Sequence, residues 1–365
     1  MSKVEQNTQI RTSRTGLTAC DLDQACPGYV IYTPIAGDGI VYAIDVQGRE
    51  AHRWKMPYAP GLWGYLLPNG NLFYNGKIVK DETWGRFESW KAFKGGVILE
   101  AEMDGTVVWE HRDPDHHHDA RRTEGGGAVY LSMEPMTEDL ARRVQGGHSA
   151  DEAEQMWADV IVEVDSAGNR IWEWHAMEHL EPAVHRLTFN DHRTEWSHGN
   201  TIVPLPGDRV LASFRNISTV AIISKASGKM EWQLGPDVLA QQHDPSLLDN
   251  GNILVLDNGS HRRDNGLPFT RVLEINPEGN EIVWSYQDPT PYSFFSAYIS
   301  GARRLGNGNT LITEGVTGRM FQVTPSGEVV WEYINPHFHI HIRGHQSNAV
   351  FRASLQPPGL VEGMP

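Results

Sequence analysis

The sequence predicts an all-β protein, a six-bladed β-propeller, and the first support is a repeated hairpin. In each copy a β-rich run leads into a polar turn closed by glycine, and a second run carrying a tryptophan follows. The hairpin occurs six times, with the glycine–tryptophan pairs Gly48/Trp54, Gly105/Trp109, Gly168/Trp172, Gly228/Trp232, Gly279/Trp284 and Gly327/Trp331. Self-similarity at a period of roughly 40 to 60 residues, with four strands in each unit, is typical of propellers.

A second type of hairpin lies between the tryptophan hairpins and supplies the other half of each blade. Its five copies are GYLLPNGNLFYNG, HHHDARRTEGGGAVYL, SHGNTIVPLPGDRVLAS, HDPSLLDNGNILVL and SGARRLGNGNTLITEG. In the fourth copy Asn250-Gly251 stands between two apolar runs, which favours a hairpin because a type I′ turn needs φ > 0 at both central residues. Five inner hairpins against six outer hairpins leave one blade incomplete.

The two ends of the chain are predicted to complete that blade. HQSNAVFRA, at 345–353, resembles an inner strand with no hairpin partner after it, whereas GYVIYTP and the first tryptophan hairpin form three outer strands without an inner one. Pairing them closes the ring and removes exposed sheet edges. The predicted organisation is a lead-in at 1–27, one propeller domain at 28–353 and a tail at 354–365.

One segment breaks the strand pattern. A helical insert is expected at about 132–158, because TEDLARRV and ADEAEQMWA have helical composition and are separated by Gly146-Gly147.

Composition limits the classes of partner. The formal charge is −15, from 31 basic and 46 acidic residues, and no basic run is present, which argues against nucleic acid and anionic membranes. No apolar run approaches the length of a membrane span, and residues 1–16 lack the apolar core of a secretory signal. Cys20 and Cys26 do not indicate a disulfide framework. We therefore expect a cytoplasmic protein with a small anionic or aromatic substrate, and the oligomeric state stays open.

The seventeen histidines fall into a pattern on the inner hairpins. Counting back eight residues from the hairpin glycine gives Leu62, His118, His243 and Ser300, and His198 lies one residue from the matching place in its own hairpin. The closing strand offers His345. The first residues of the inner strands lie at one mouth of the central channel. A lone histidine is usually an ordinary polar side chain. His118, His198, His243 and His345 are nevertheless predicted to line a single mouth of the channel. Leu62 and Ser300 indicate that the fold itself does not require a histidine at this position.

Other side chains are expected at the same mouth. Arg215 follows the apolar strand RVLASF where a channel-lining strand ends, and a guanidinium suits bidentate contacts with an oxyanion. The segment PTPYSFFSAY leads to Ser300 and includes Tyr298. Its aromatic side chains suit a phenolic ring.

SHGNTIVPLPGDRVLASFRN, QHDPSLLDNGNILVLDNG and the tryptophan hairpins resemble the arylsulfotransferase family of six-bladed propellers, from about residue 28 onward. The resemblance implies transfer of a sulfuryl group from an aryl sulfate to a phenol through a transiently sulfated histidine, without a cofactor. It implies His243 as the nucleophile, His118 as another catalytic histidine, and His198, Asn200 and Arg215 as sulfate-binding groups. A neutral imidazole is a good nucleophile near neutral pH, and cationic or amide donors stabilise sulfuryl oxygens. Further substrate-binding candidates are His345, Ser300 and Tyr298.

Two alternatives remain open. A metal-dependent hydrolase or lyase would use His118, His198, His243 and His345 as ligands of Zn²⁺, Mn²⁺ or Fe²⁺, since neutral imidazoles bind these ions well. HFHIH adds candidates at a spacing of two, which share one face of an extended strand. The second alternative is a non-catalytic binding propeller, although such a protein does not need a histidine-lined channel.

Overall fold

Six antiparallel sheets form the six-bladed β-propeller that the sequence predicts. The computed structural model describes residues 14–148, 155–262 and 266–359. Blade 1 contains β2 (Tyr29–Pro34), β3 (Ile40–Asp45), β4 (Glu50–Lys55) and β27 (Val350–Gln356), and blade 2 contains β5 (Ala59–Leu66), β6 (Leu72–Lys77), β7 (Gly96–Ala101) and β8 (Val107–Arg112). Blade 3 contains β9 (His117–Arg122), β10 (Ala128–Pro135), β11 (Trp157–Val164) and β12 (Arg170–His175), and blade 4 contains β13 (Gly199–Leu205), β14 (Arg209–Phe214), β15 (Thr219–Ser224) and β16 (Met230–Leu234). Blade 5 contains β17 (His243–Leu247), β18 (Ile253–Asp257), β19 (Arg271–Asn276) and β20 (Glu281–Tyr286), and blade 6 contains β21 (Gly301–Arg304), β22 (Thr310–Glu314), β23 (Arg319–Val323) and β24 (Val329–Ile334).

The remaining elements are short. A fifth strand, β1 (Gly16–Cys20), adds to the outer edge of blade 6 by pairing with β24, and β25 (His339–Ile340) pairs with β26 (Gln346–Ser347) as a separate hairpin. The helices are α1 (Trp90–Phe93), α2 (Glu138–Arg143), α3 (Ala176–His179) and the 3₁₀ turn Gly315–Thr317. In the part of the chain that the structure describes, no helix has the length and apolarity needed to cross a bilayer. Cys20 and Cys26 are both free thiols.

The predicted closure of the ring is confirmed. β27 pairs antiparallel with β2, with Tyr29 opposite Gln356 and Pro34 opposite Val350. The closing strand begins at Val350 instead of His345 and continues beyond residue 353 to Gln356. Its first residues are buried in the ring, since Val350 and Phe351 are both inaccessible to solvent.

The repeated tryptophan joins neighbouring blades, which explains why the hairpin carries it. Five of the six indole Nε1 groups donate a hydrogen bond to a turn of the next blade. The pairs are Trp109 to Ser166 O (2.9 Å), Trp172 to Lys225 O (3.0 Å), Trp232 to Asn280 Oδ1 (2.7 Å), Trp284 to Pro325 O (2.8 Å) and Trp331 to Val46 O (2.7 Å). The sixth, Trp54, is buried, and its Nε1 has no hydrogen-bond partner among the described residues. Each of the five therefore combines apolar burial with a specific contact between blades.

The insert in blade 3 is shorter than predicted. β10 extends to Pro135 and β11 begins at Trp157, so both ends of the predicted helical segment are strand. α2 lies within TEDLARRV as expected, and the Thr137 side chain caps it by accepting a hydrogen bond from the Leu140 backbone N–H. Most of the second predicted helix falls on residues 149–154, which lie outside the described residues.

Candidate active site

A cavity of about 310 Å³ lies where the inner strands begin. Of the residues predicted for the channel mouth, six line it: His118, His198, His243, His345, Arg215 and Tyr298. Three of these histidines come from the consecutive blades 3, 4 and 5. Phe93, from the short helix α1, and Glu195, from the loop that precedes β13, complete the wall beside them.

The backbone at the head of the inner strands has the same unusual conformation in five blades. Leu62, His118, His198 and Ser300 have φ of 103°, 52°, 53° and 87°, and in blade 5 Asp244, next to His243, has φ of 55°. Positive φ is uncommon outside glycine. It recurs at or one residue from the counted position in five blades, so the heads of these inner strands share a backbone turn.

Glu195 orients the His198 ring. The His198 Nδ1 lies 2.6 Å from Glu195 Oε2, and Glu195 Oε1 accepts a hydrogen bond from Ser89 Oγ at 3.0 Å. Because a carboxylate accepts, the proton of neutral His198 is on Nδ1 and Nε2 carries the lone pair. The Gly199 N–H donates to Asp159 Oδ2 at 2.8 Å, and a Cβ at residue 199 would lie 2.9 Å from the other carboxylate oxygen. A larger residue after His198 would have to displace the Asp159 carboxylate.

Asn258 orients the His243 ring. His243 Nδ1 lies 2.8 Å from Asn258 Oδ1, while Asn258 Nδ2 donates to the carbonyls of Ser296 and Ile299 at 2.8 and 2.9 Å. These two donations fix the amide orientation, so His243 donates from Nδ1 and its Nε2 carries the lone pair. The preceding residue, Gln242, is buried, and its Nε2 lies within hydrogen-bonding distance of three acceptors in blade 4, which holds the start of β17 in place.

His118 is oriented through the adjacent histidine. His118 Nδ1 lies 2.8 Å from His117 Nδ1, and His117 Nε2 lies 3.1 Å from both Ser132 O and Asp159 Oδ1. When His117 carries one proton, that proton is on Nε2, so His117 Nδ1 accepts from His118. The His118 ring stacks on Phe93 at 4.5 Å and meets the His198 ring edge-on at 4.7 Å. Among the described residues, no group forms a hydrogen bond with Nε2 of His118, His198 or His243.

Burial keeps two of these imidazoles neutral. It lowers the pKa of His118 well below the ordinary value, and the neighbouring His198 and His117 lower it further. Burial is also the largest cause for His243, whose pKa is well below its usual range, followed by the positive charge of Arg215. Near neutral pH both rings therefore carry the lone pair that a nucleophile or base requires.

Below the histidines a buried charge network joins the blades. Arg352 of β27 is inaccessible to solvent, and its Nη1 lies 3.1 Å from Asp119 Oδ2 and 3.0 Å from Asp244 Oδ1. Arg303 also pairs with Asp244. The acid that follows His243 is therefore neutralised, so its charge does not face an anionic substrate uncompensated.

Two predicted residues do not line the cavity. Asn200 is fully buried and its Nδ2 donates to Gln242 O at 2.8 Å, so it positions the residue before His243 and does not face a sulfate group. The Ser300 Oγ accepts from the Gly315 N–H at 2.9 Å, and Ile299 takes its place on the wall. In blade 6 the side chain that faces the cavity is therefore that of Ile299, one residue before the counted position.

His345 lines the cavity from a different element than predicted. It is exposed on the turn of the β25–β26 hairpin, with its ring 4.8 Å from that of His341. Because β27 begins at Val350, Ala349 is the residue of blade 1 that precedes the inner strand and lines the cavity. The predicted equivalence of His345 with the other three histidines is therefore wrong.

Arg215 is held rigidly in the wall. Its guanidinium donates to Asp191 Oδ1 at 3.2 Å, to Asn216 Oδ1 at 2.8 Å and to Gln241 Oε1 at 3.0 Å. The side chain keeps 17% of its surface accessible. It can thus face a bound anion without losing its position.

Sequence reasoning missed the residues that orient the rings. Glu195 is only three residues before His198 and could have been found by proximity, whereas Asn258 meets His243 only after β17 and β18 pair. Among the described residues, no group of three histidine, cysteine, aspartate or glutamate side chains is arranged to hold a metal ion.

A propeller with a histidine-lined cavity at one end of its channel is the class that this fold and site define. The arylsulfotransferase (ASST) family model matches residues 41–240 and 236–352, and the chain belongs to this family. No curated protein matches the sequence.

Solved structures share the fold at low identity. A protein of unknown function from Bacteroides caccae has a TM-score of 0.53 and 14% identity, over 84% of this chain and 93% of that one. A streptogramin B lyase has a TM-score of 0.50 and 13% identity, over 94% of each chain. A functionally unknown protein from Desulfotomaculum acetoxidans has a TM-score of 0.50 and 9% identity, over 91% of this chain and 99% of that one.

Proposed function

We propose that the protein transfers a sulfuryl group from an aryl sulfate to a phenol through a sulfated His243. The observation that carries the proposal is the pairing of three oriented imidazoles, whose Nε2 atoms are free for a substrate, with Arg215 in one cavity. Membership of the arylsulfotransferase family supports a transferase.

In the first half-reaction the His243 Nε2 lone pair attacks the sulfur of the aryl sulfate. The N–S bond forms as the S–O bond to the ring breaks. The leaving phenolate takes a proton from Nε2 of His198, which begins this half-reaction as the imidazolium and ends it neutral. In the second half-reaction His198 Nε2 accepts the proton of a phenol, whose oxygen attacks sulfur as the N–S bond breaks. Dividing the transfer into two displacements means that the two phenols need not be bound together.

The remaining wall residues have distinct roles in this scheme. Glu195 stabilises the imidazolium form of His198, as a carboxylate does beside a histidine that alternately takes and gives a proton. Arg215 faces the sulfuryl oxygens, whose negative charge persists through the transition state. Phe93 and Tyr298 offer aromatic surface to the phenol ring.

The test is a quench after mixing the protein with an aryl sulfate in the absence of any phenol acceptor. We expect intact-mass and peptide analysis to find one sulfuryl group on His243 and stoichiometric release of phenol. His243→Ala should show neither, while His198→Asn should slow the burst about 10²- to 10⁴-fold. The control is His52→Asn, in outer strand β4, which should behave as wild type. A burst without an adduct on His243 contradicts the proposal.

The metal-dependent hydrolase or lyase is tested by the same assay with a chelator. The described residues do not form a three-ligand group, so no step is assigned to a metal here. Activity that a chelator removes and added Zn²⁺, Mn²⁺ or Fe²⁺ restores would favour that alternative. Aromatic binding without turnover of any sulfate ester would favour the binding propeller.

A further inference from the structure

The hairpin between β24 and β27 adds a second cationic region to the cavity. Residues 335–349 carry β25, β26 and the turn between them, and His341, Arg343 and His345 of this turn line the cavity wall. The turn is tight, with the His341 N–H donating to His345 O and the Gly344 N–H to His341 O, both at 2.8 Å. Three basic side chains are thereby held together on one wall.

The tautomer of His341 is opposite to that of the three channel histidines. The Arg343 backbone N–H donates to His341 Nδ1 at 3.2 Å. A backbone N–H can only donate, so neutral His341 carries its proton on Nε2 and presents a donor. His243 presents a lone pair instead, which suits attack on sulfur. An N–H donor suits an anion that is bound without reacting.

The charged groups that act most strongly on His341 are all basic. Partial burial lowers the pKa of His341, and the next causes are His345, Arg343 and Lys77, all basic. Among the described residues, no carboxylate forms an ion pair with the Arg343 guanidinium. The acids of the opposite wall are paired elsewhere, Asp191 with Arg215 and Glu195 with His198. The protein has a net charge of −15, yet His341, Arg343 and His345 form a basic wall on the cavity, which favours binding of an anionic group there.

Arg215 and Arg343 serve different parts of the cavity. Arg215 is the largest electrostatic cause of the lowered pKa of His243 after burial, whereas Arg343 is among the causes for His341. Arg215 therefore lies near His243, the reacting histidine, and Arg343 lies near His341 of the hairpin.

From these observations we propose that Arg343, with His341 and His345, binds a carboxylate carried on the aromatic ring of the substrate. The inference rests on the proposed function, because it takes the sulfuryl group to lie at His243 and Arg215. The preferred substrates are thus phenols with a ring carboxylate, and the sulfate esters of such phenols.

The test measures binding, which requires no sulfuryl transfer. The dissociation constants of 4-hydroxybenzoate and of 4-methylphenol are compared by calorimetry for the wild type and for Arg343→Gln. We expect the wild type to bind 4-hydroxybenzoate more tightly and Arg343→Gln to weaken that binding roughly tenfold, a typical effect for one charge-assisted hydrogen bond at a partly exposed site. The matched control is Arg209→Gln. It removes the same charge at the end of β13 and β14 that lies away from His198 and the cavity, and it should not change the dissociation constant of 4-hydroxybenzoate.

The outcomes separate this inference from the proposed function. An equal effect of Arg343→Gln and Arg209→Gln would indicate a general field effect and overturn the subsite, as would no effect of Arg343→Gln. Carboxylate binding that depends on Arg343, in a protein that forms no sulfuryl adduct, would support the subsite and overturn sulfuryl transfer.

Discussion

Replacing Arg352 by methionine should destabilise the whole ring. The guanidinium is inaccessible to solvent and pairs with Asp119 at 3.1 Å and Asp244 at 3.0 Å. Removing one partner of a buried ion pair leaves uncompensated charge and costs about 3–5 kcal/mol. Arg121 and Arg303 still face the two carboxylates, so we expect about 3 kcal/mol, near the lower limit of that range.

The assay is equilibrium unfolding in urea, read by tryptophan fluorescence. The midpoint should fall while the denaturant slope stays constant, which indicates lost stability without a change in the surface exposed on unfolding. The control is Arg49→Met, because Arg49 pairs with Asp45 on the surface at 2.8 Å and its side chain is 73% accessible. Exposed pairs contribute little, so the control should unfold as the wild type does. Equal midpoints for the two variants would refute the view that the channel network holds the blades together.

Three further predictions concern the proton chemistry and the closure. Arg215→Gln removes a positive charge that lowers the pKa of His243, so that pKa should rise and the acid limb of kcat/KM should move to higher pH; an unmoved limb would show that another group sets it. Glu195→Gln should lower kcat by about 10²-fold or more, since it removes the carboxylate beside His198, and wild-type turnover would dismiss the pair. Ending the chain at Gly344 deletes β27 and exposes the edge of β2, so soluble protein should be lost; a soluble monomer from that truncation would contradict the closure.

The propeller architecture could be predicted because its hairpins are repeated, so an error in assigning one strand is corrected by the equivalent strands of other blades. Each blade gives the same two hairpins, and a strand assigned in one blade supports its counterpart in the next. The position of His118, His198 and His243 followed from the same counting, since the backbone turn at the strand heads is repeated. His345 was misplaced because HQSNAVFRA reads as one strand, whereas its first residues belong to the β25–β26 hairpin and the closing strand begins at Val350.

The partners of the histidines needed the folded structure. Asn258 and Asp159 contact their histidines from other strands of the same blade, and no spacing in the sequence records such contacts. Asn200 shows the converse. It lies two residues after His198, which on a regular strand would place both side chains on one face. The positive φ of His198 and the irregularity between Gly199 and Thr201 break that alternation, and the Asn200 side chain donates to Gln242 O instead.

The position of Arg352 on β27 has a consequence for synthesis. The strands that carry Asp119 and Asp244 leave the ribosome before β27 does. In the nascent chain, therefore, both carboxylates are at first without Arg352, which bridges them in the folded protein. The five blades made earlier can form hairpins, but Asp119 and Asp244 are not paired with Arg352 until the closing strand is in place. A translation product that ends before β27 should therefore leave these carboxylates exposed to water and should be more sensitive to proteases. His243 is fully buried only when the ring is closed.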